Sequence, residues 1–167
     1  ALTGHLVYST LHTNDAAGAI PRLLHLGVKP VTLAPALSAV IAQRLVRRLC
    51  QECREEQVLD KPLLERVKNV LSNLPAKANF EIPKSLKFFH SRGCQACNYL
   101  GYKGRIGIFE LFVVDNEIQQ LIFKEASTVD IKTQAVNSGM VTMTKDGLLK
   151  ALEGITDALE VFRVAEE

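Results

Sequence analysis

Four cysteines stand in this chain at two identical spacings, Cys50-Gln51-Glu52-Cys53 and Cys94-Gln95-Ala96-Cys97. Two residues between paired cysteines let both sulfurs face one point through a tight knuckle. Two knuckles brought together form a tetrahedral thiolate cage, the arrangement a structural Zn2+ prefers. No thiol is left over. Gly93 before the second pair and Gly101 and Gly104 after it suit tight turns around a metal. The separation of the pairs exceeds the usual ribbon spacing, and the intervening sequence accounts for it. Leu63, Leu64, Val67, Val70, Leu71 and Leu74 repeat at helical spacing between Pro62 and Pro75, which predicts an amphipathic helix over 63–74 inside an insertion. Zinc would stabilise the folding of that insertion by about 10 kcal/mol. Two disulfides are the alternative in an oxidising compartment, but no basic region followed by an apolar core opens the chain as a signal peptide would. A redox-active pair needs a depressed thiol pKa and usually one pair, not two. A zinc ribbon that binds nucleic acid stays open, because Asn98-Tyr99-Leu100-Gly101-Tyr102-Lys103-Gly104-Arg105 has rings to stack on bases and cations to pair with phosphates.

Composition narrows the field. The chain has 167 residues, 47% hydrophobic and 23% charged, with a formal charge of +2. That is enough apolar content for one core with a small appended module, and too little net charge for a disordered chain or a basic nucleic-acid coat. The longest mostly apolar stretch, 31–42, carries Thr32, Pro35 and Ser38 and falls short of the roughly 20 residues a spanning helix needs. The opening Ala1-Leu2-Thr3-Gly4-His5 has no initiator Met and leads at once into apolar sequence, so we expect a piece of a longer chain.

The run 6–11 is short, apolar and bounded by polar residues, and reads as a buried strand. Thr13, Asn14 and Asp15 can each cap a helix over 16–26, in which Pro21 is tolerable only near its start or at a bend, and which Gly27 stops. A second helix fits 31–44, with Leu33, Leu37, Val40 and Ile41 at three-and-four spacing. Residues 105–114 read as a strand. The rest is helical: 116–124 capped by Asp115, 128–138 opened by a Ser127–Asp130 capping box, 143–153, and a last helix opened by Asp157 and Glu160. Strand, capped helix and buried helix point to an α/β layer rather than a bundle.

His12 falls where the expected first strand gives way to a capped helix. In an open α/β sheet, ligands bind outside the carboxyl ends of the strands, and a histidine placed there can reach a phosphate oxygen or a reacting water. By position alone, a ring hydrogen-bonded to a loop carbonyl is the commoner case. No stretch matches the phosphate loop G-x-x-x-x-G-K-[ST]. Leu111-Phe112-Val113-Val114-Asp115 resembles the apolar run and Asp that hold Mg2+ in nucleotide hydrolases, but a helix-capping Asp gives the same letters, and capping is our assignment.

Several segments carry a resemblance to a known family. Thr3-Gly4-His5-Leu6-Val7-Tyr8-Ser9-Thr10-Leu11-His12-Thr13-Asn14-Asp15-Ala16-Ala17 resembles the histidine box of the secretion ATPases. Ile41-Ala42-Gln43-Arg44-Leu45-Val46-Arg47-Arg48-Leu49-Cys50 is similar to the segment leading into that family's tetracysteine insertion. Gly93-Cys94-Gln95-Ala96-Cys97, Gly101-Tyr102-Lys103-Gly104-Arg105 and Gly107-Ile108-Phe109-Glu110-Leu111 resemble the return from it. Gly139-Met140, Asp146-Gly147-Leu148 and Gly154-Ile155-Thr156 match its C-terminal helical part. The likeness runs nearly end to end and is specific for the ATPases of type II secretion and type IV pilus assembly.

The resemblance implies the C-terminal portion of a RecA-like P-loop ATPase domain with a tetracysteine zinc insertion and a C-terminal helical subdomain. Its expected segments are 1–49, continuing at 105–114, for the RecA-like core, 50–104 for the insertion and 115–167 for the helices. It implies a cytoplasmic, hexameric motor, peripheral to the bacterial inner membrane through an inner-membrane platform protein, with ATP and Mg2+ in the full-length protein and no nucleic-acid partner. His12 carries over as the catalytic histidine that approaches the γ-phosphate, and Cys50, Cys53, Cys94 and Cys97 as ligands of a structural Zn2+. The phosphate loop and the Mg2+-binding acids are expected before residue 1, so the chain alone is expected to be inactive. The family's retraction motors lack the insertion, which favours an assembly or secretion motor. Pro21 and Asp157-Ala158-Leu159 depart from the family pattern. Arg44, Arg47 and Arg48 fit a subunit interface, a nucleotide pocket or a solvated face. A zinc-ribbon nucleic-acid-binding module and a protein-interaction module are the competing functions.

Overall fold

The computed structural model describes residues 1–72, 74–75 and 86–165. Position 73 of the expected 63–74 helix, positions 76–85 of the expected insertion and positions 166–167 lie outside the described residues. The fold is mixed α/β. Two helices, α1 (Ala19–His25) and α2 (Pro30–Ala36), precede the long strand β1 (Ala39–Leu49). A short ribbon of β2 (Arg54–Gln57) and β3 (Phe88–Ser91) is separated by α3 (Lys61–Ser72). After a single 3-10 turn (Gln95–Cys97) come β4 (Tyr102–Val113) and four helices: α4 (Asn116–Phe123), α5 (Thr128–Asn137), α6 (Met143–Leu152) and α7 (Ala158–Ala165). β1 pairs with β4, and β2 pairs antiparallel with β3, Arg54 opposite Ser91 and Gln57 opposite Phe88. No helix among the described residues is long and apolar enough to cross a membrane.

By contact the chain falls into two compact units, Ala1–Ala42 with Glu110–Met140, and Gln43–Phe109 with Val141–Glu167. This grouping divides the C-terminal helices, α4 and α5 going to the first unit and α6 and α7 to the second. The first unit buries Ala17, Ile20, Leu33, Phe112, Ile118, Ile122, Ile131 and Met140 as one core, with α2 packed on α4 and α4 on α5. The second buries Val67, Leu71, Phe88, Leu148, Ala158, Val161 and Phe162, with α6 packed on α7 and α3 on α6.

Two sequence expectations are corrected. Residues 6–11 form no strand: Leu6, Val7 and Tyr8 are exposed, Tyr8 by 87%. A strand persists only where its N–H and C=O groups find a partner strand, and no described residue pairs with this run. The helix expected over 31–44 ends at Ala36, and residues 39–49 are extended instead. Pro35 lies inside α2 and Leu37 at its end is extended, with ψ 116°. Beyond it burial alternates: Val40 and Ala42 pack on the core while Ala39, Ile41 and Gln43 are exposed. A helix face through Leu37, Val40 and Ile41 would have buried Ile41. Period two decides for the strand.

Other elements form as their local chemistry predicts. α1 begins at Ala19, so Pro21 falls in its first turn, where a missing N–H costs nothing. Asp15 does not cap α1 directly; its Oδ1 accepts from Gly18 N at 2.9 Å, one turn earlier. Asp115 caps α4, accepting from Ile118 N at 2.9 Å, and takes a second bond from Ser138 Oγ at 2.8 Å. Ser127 accepts from Asp130 N and donates to Asp130 Oδ2, at 3.2 and 2.7 Å. Asp157 Oδ1 accepts from Glu160 N at the start of α7.

Within the second unit, Gly147 on α6 lies against Val161 on α7: a β-carbon there would come within 2.6 Å of Val161 Cγ1. Valine is stiff at its first torsion, so it cannot swing clear. We expect Gly147→Ala to destabilise the chain by about 1–3 kcal/mol through overpacking, outweighing the gain of up to about 1 kcal/mol in helix propensity. The thermal midpoint followed by circular dichroism should fall by a few degrees; an unchanged midpoint would mean that the two helices part without cost.

Candidate functional site

The four cysteines converge at the far end of the β1–β4 pair. β1 ends at Leu49, the residue before Cys50, and β4 begins one residue after Gly101. Cys50 N donates to Gly101 O at 2.9 Å, and Arg92 N donates to Cys53 O at 3.4 Å, which holds the two knuckles together. The four sulfurs all lie within 4.8 Å of one another. Cys50 and Cys94 are 3.8 Å apart, Cys53 and Cys97 3.9 Å, and Cys94 and Cys97 3.9 Å. Four sulfurs about 2.3 Å from one ion at tetrahedral angles stand about 3.8 Å from each other, so this cage has the size that a four-thiolate metal site requires. The separations are far beyond the roughly 2.0 Å of a disulfide, and all four cysteines are free.

The backbone around the cage is shaped to it. Gly93 has φ +88°, and a β-carbon there would sit 2.5 Å from Tyr99 O. Asn98 and Tyr99 take left-handed φ values of 50° and 61°, held by Tyr99 N to Cys94 O and Leu100 N to Cys97 O at 2.8 and 3.1 Å. This curl turns amides onto sulfur: Cys94 N and Gly101 N donate to Cys97 Sγ at 3.2 and 3.3 Å. The Cys94 amide above all, against the opposing effect of burial, brings the Cys97 thiol down to about 6. Burial pushes the Cys53 thiol up to about 12. The amides thus favour a thiolate at Cys97 and burial disfavours one at Cys53, so full ionisation of the set calls for a cation among the sulfurs. The set can hold a metal ion.

Beside the cage, the second unit contains a polar cluster that the sequence did not disclose. The Glu160 side chain is fully buried on α7. It accepts from Arg47 N at 2.9 Å, from the Arg47 guanidinium at 2.7 Å, and from Arg163 Nε and Nη2 at 2.8 and 2.7 Å. Arg47 also lies 3.9 Å over the Tyr102 ring, and Tyr102 donates to Asp157 Oδ2 at 2.5 Å. Arg47 is thus tied to α7 and to the Tyr102 ring, although its side chain stays about half exposed.

His12 is exposed and lies in the first unit, in the irregular segment before α1. That segment is braced. Thr13 Oγ1 donates to Asp15 O at 2.9 Å, Lys132 Nζ lies 3.9 Å from Asp15 Oδ2, and Ala16 N donates to Glu110 Oε1 at 2.6 Å. Glu110 is 2% exposed on the inward phase of β4, between Ile108 and Phe112. A carboxylate on that phase was visible in the sequence as a charge in an apolar alternation, and it marks a position whose burial needs a partner.

A family model described as "Type II/IV secretion system protein" matches residues 1–163. The chain belongs to that family. It is similar to proteins of secretion and pilus assembly. It is 46% identical over 161 residues to the type IV pilus assembly ATPase PilB of Thermus thermophilus, covering 96% of this chain and 17% of that protein. It is 43% identical over 167 residues to the type II secretion system protein E of Pseudomonas aeruginosa, and 40% identical over 169 residues to the type II secretion system ATPase E of Vibrio cholerae, in both cases over 100% of this chain and 31% of the relative. The secretion-family chain thus spans less than a third of the length of these curated relatives.

Burial by itself would raise the Glu160 carboxyl, but hydrogen bonds from Arg163 and Arg47 override it and bring the carboxyl down to about 2 from an ordinary 4.5. A carboxylate with a depressed folded value adds stability that is full above its unfolded value and is lost as pH falls through the folded one. We therefore expect the thermal midpoint to drop between about pH 5 and pH 2, and Glu160→Gln to be less stable at pH 7 with a shallower drop over that window. Parallel pH curves for the two proteins would remove Glu160 from the acid response.

Proposed function

We propose that this chain is the C-terminal portion of the ATPase domain of a motor that powers type II secretion or type IV pilus assembly. The reading rests above all on likeness over the whole chain to proteins named as secretion and pilus assembly ATPases. In it, residues 1–49 and 105–114 belong to a RecA-like core, residues 50–104 are a metal-closed insertion, and residues 115–167 form a helical part. The phosphate loop and the acidic residues that hold Mg2+ lie in sequence outside this chain. The complete protein binds and hydrolyses ATP with Mg2+, assembles as a hexamer in the cytoplasm and works on an inner-membrane platform protein. No nucleic-acid partner is part of this reading.

Cys50, Cys53, Cys94 and Cys97 would hold Zn2+, whose contribution is a structural cross-link, since four protein thiolates leave no open position for a substrate. The chain's own residues then supply alignment. Phosphoryl transfer is accelerated mostly by positioning and by charge stabilisation. His12 is the catalytic residue of this chain: a ring N–H donor that meets the γ-phosphate and registers its presence or loss. Asp15, Thr13 and the Ala16 amide fix the segment that carries it.

Two outcomes follow. The purified chain should contain about one zinc per molecule by elemental analysis, and Cys94→Ser with Cys97→Ser should abolish the zinc and lower the thermal midpoint by more than ten degrees, in line with the roughly 10 kcal/mol scale of such sites. A midpoint indifferent to the metal would remove the structural role. In the full-length protein, His12→Ala should slow ATP turnover at least tenfold with zinc content unchanged, while the 167-residue chain alone turns over no ATP. Undiminished turnover by the variant would take His12 out of the mechanism.

A further inference from the structure

We propose that Glu110 is a positioning residue for the ATPase reaction, acting on His12 through the backbone of the segment before α1. The inference rests on the functional reading above. It goes beyond that reading by assigning a role to the group on the far side of one brace: a buried carboxylate on β4 accepts the amide of Ala16, 94 residues away in sequence, at 2.6 Å.

Burying a carboxylate is costly unless hydrogen bonds take the place of water. An apolar residue between Ile108 and Phe112 would fill the same inward position of β4 without that cost. What Glu110 provides and an apolar residue cannot is an acceptor for the Ala16 amide. Ala16 is nearly fully buried and is followed by Ala17 and Gly18, which lead directly into α1. The amide therefore has no water to turn to, and the short charge-assisted bond fixes one point of the chain in three dimensions.

His12 is four residues before that point. Thr13 and Asp15, which lie between, are held in their turn. Asp15 Oδ1 accepts from Gly18 N, Asp15 Oδ2 is 3.9 Å from Lys132 Nζ on α5, and Thr13 Oγ1 donates to Asp15 O. Glu110 is the anchor from the strand, and the Asp15 turn carries the constraint forward. A histidine on a segment pinned in this way approaches a phosphate with little conformational freedom left to lose. Loosening the pin misplaces the ring without removing any group that touches nucleotide. A misplacement of about 1 Å can cost a hundredfold in rate.

The test is a double-mutant cycle in the full-length protein, with steady-state kcat and KM for ATP, fluorescent-nucleotide affinity and thermal midpoint measured for each variant. Glu110→Ala should lower kcat at least tenfold with KM and nucleotide affinity within about threefold of wild type. Glu110→Gln, which keeps an oxygen acceptor for the Ala16 amide, should recover at least half of that loss on a logarithmic scale. Combined with His12→Ala, Glu110→Ala should cost nothing further in kcat, because both changes remove the same aligned imidazole. Full multiplicativity of the two variants, a Gln variant as slow as Ala, or equal losses in kcat and in folded fraction would each overturn the proposal and leave Glu110 a purely structural group. A wild-type protein that does not hydrolyse ATP, or one whose His12→Ala variant is as fast as wild type, would instead overturn the functional reading on which the proposal rests.

Discussion

The convergence of four sulfurs at the end of β1 and the start of β4 is the constraint from which most of the second unit follows. Cys50 comes directly after β1, and Gly101, which receives the Cys50 amide, comes directly before β4. Whatever holds the sulfurs together also holds the two long strands in step. Register matters here because side chains alternate along a strand, and a slip of one residue would send Ile108, Glu110 and Phe112 outward and Phe109, Leu111 and Val113 inward. The left-handed curl at Asn98 and Tyr99 is a strain that the amide–sulfur and backbone bonds of the knuckle sustain, and Gly93 leaves the room for it that a β-carbon would take.

In each unit a buried carboxylate that takes a backbone amide ties distant parts of the chain. Glu110 takes an amide from the segment before α1, and Glu160 takes an amide and two guanidinium groups from β1 and α7. In both cases the backbone N–H is the partner that matters for shape, because it locates main chain rather than a flexible side-chain tip. Both acids are buried, and both are stable there only while every partner is in place.

Much of this was legible in the sequence. The cysteine spacing announced a four-sulfur cluster, and the structure brings the four together. Asp115, Ser127 and Asp157 open helices as their chemistry dictates, and α3 lies where the leucine and valine spacing put it. The failures are physical and specific. Leu6–Val7–Tyr8 has the letters of a strand, but pairing is a property of two segments and not of one. The stretch after Ala36 offered both a helical and an alternating apolar pattern, and only the burial of Val40 and Ala42 against an exposed Ile41 separates them. Glu160 was read as the second half of a capping pair, whereas its carboxylate goes to Arg47 and Arg163. Arg163, three residues on along α7, was within reach of a reading by helical spacing, whereas Arg47, 113 residues away, was not. The expectation that His12 meets a nucleotide came from family resemblance; in the structure the residue is exposed, on a segment braced through Thr13, Asp15 and Ala16.

A clasp that brings Cys53 and Cys94 side by side makes the polypeptide between them thermodynamically cheap to rewrite. The entropy of closing a loop grows only with the logarithm of its length, about 0.6 kcal/mol for each doubling. Added length between the two knuckles therefore costs the clasp little, provided the four thiols survive and Val67, Leu71 and Phe88 keep their places in the core with Leu148 and Val161. The segment between the knuckles is thus free to grow in length while its core-facing residues hold it to the rest of the second unit.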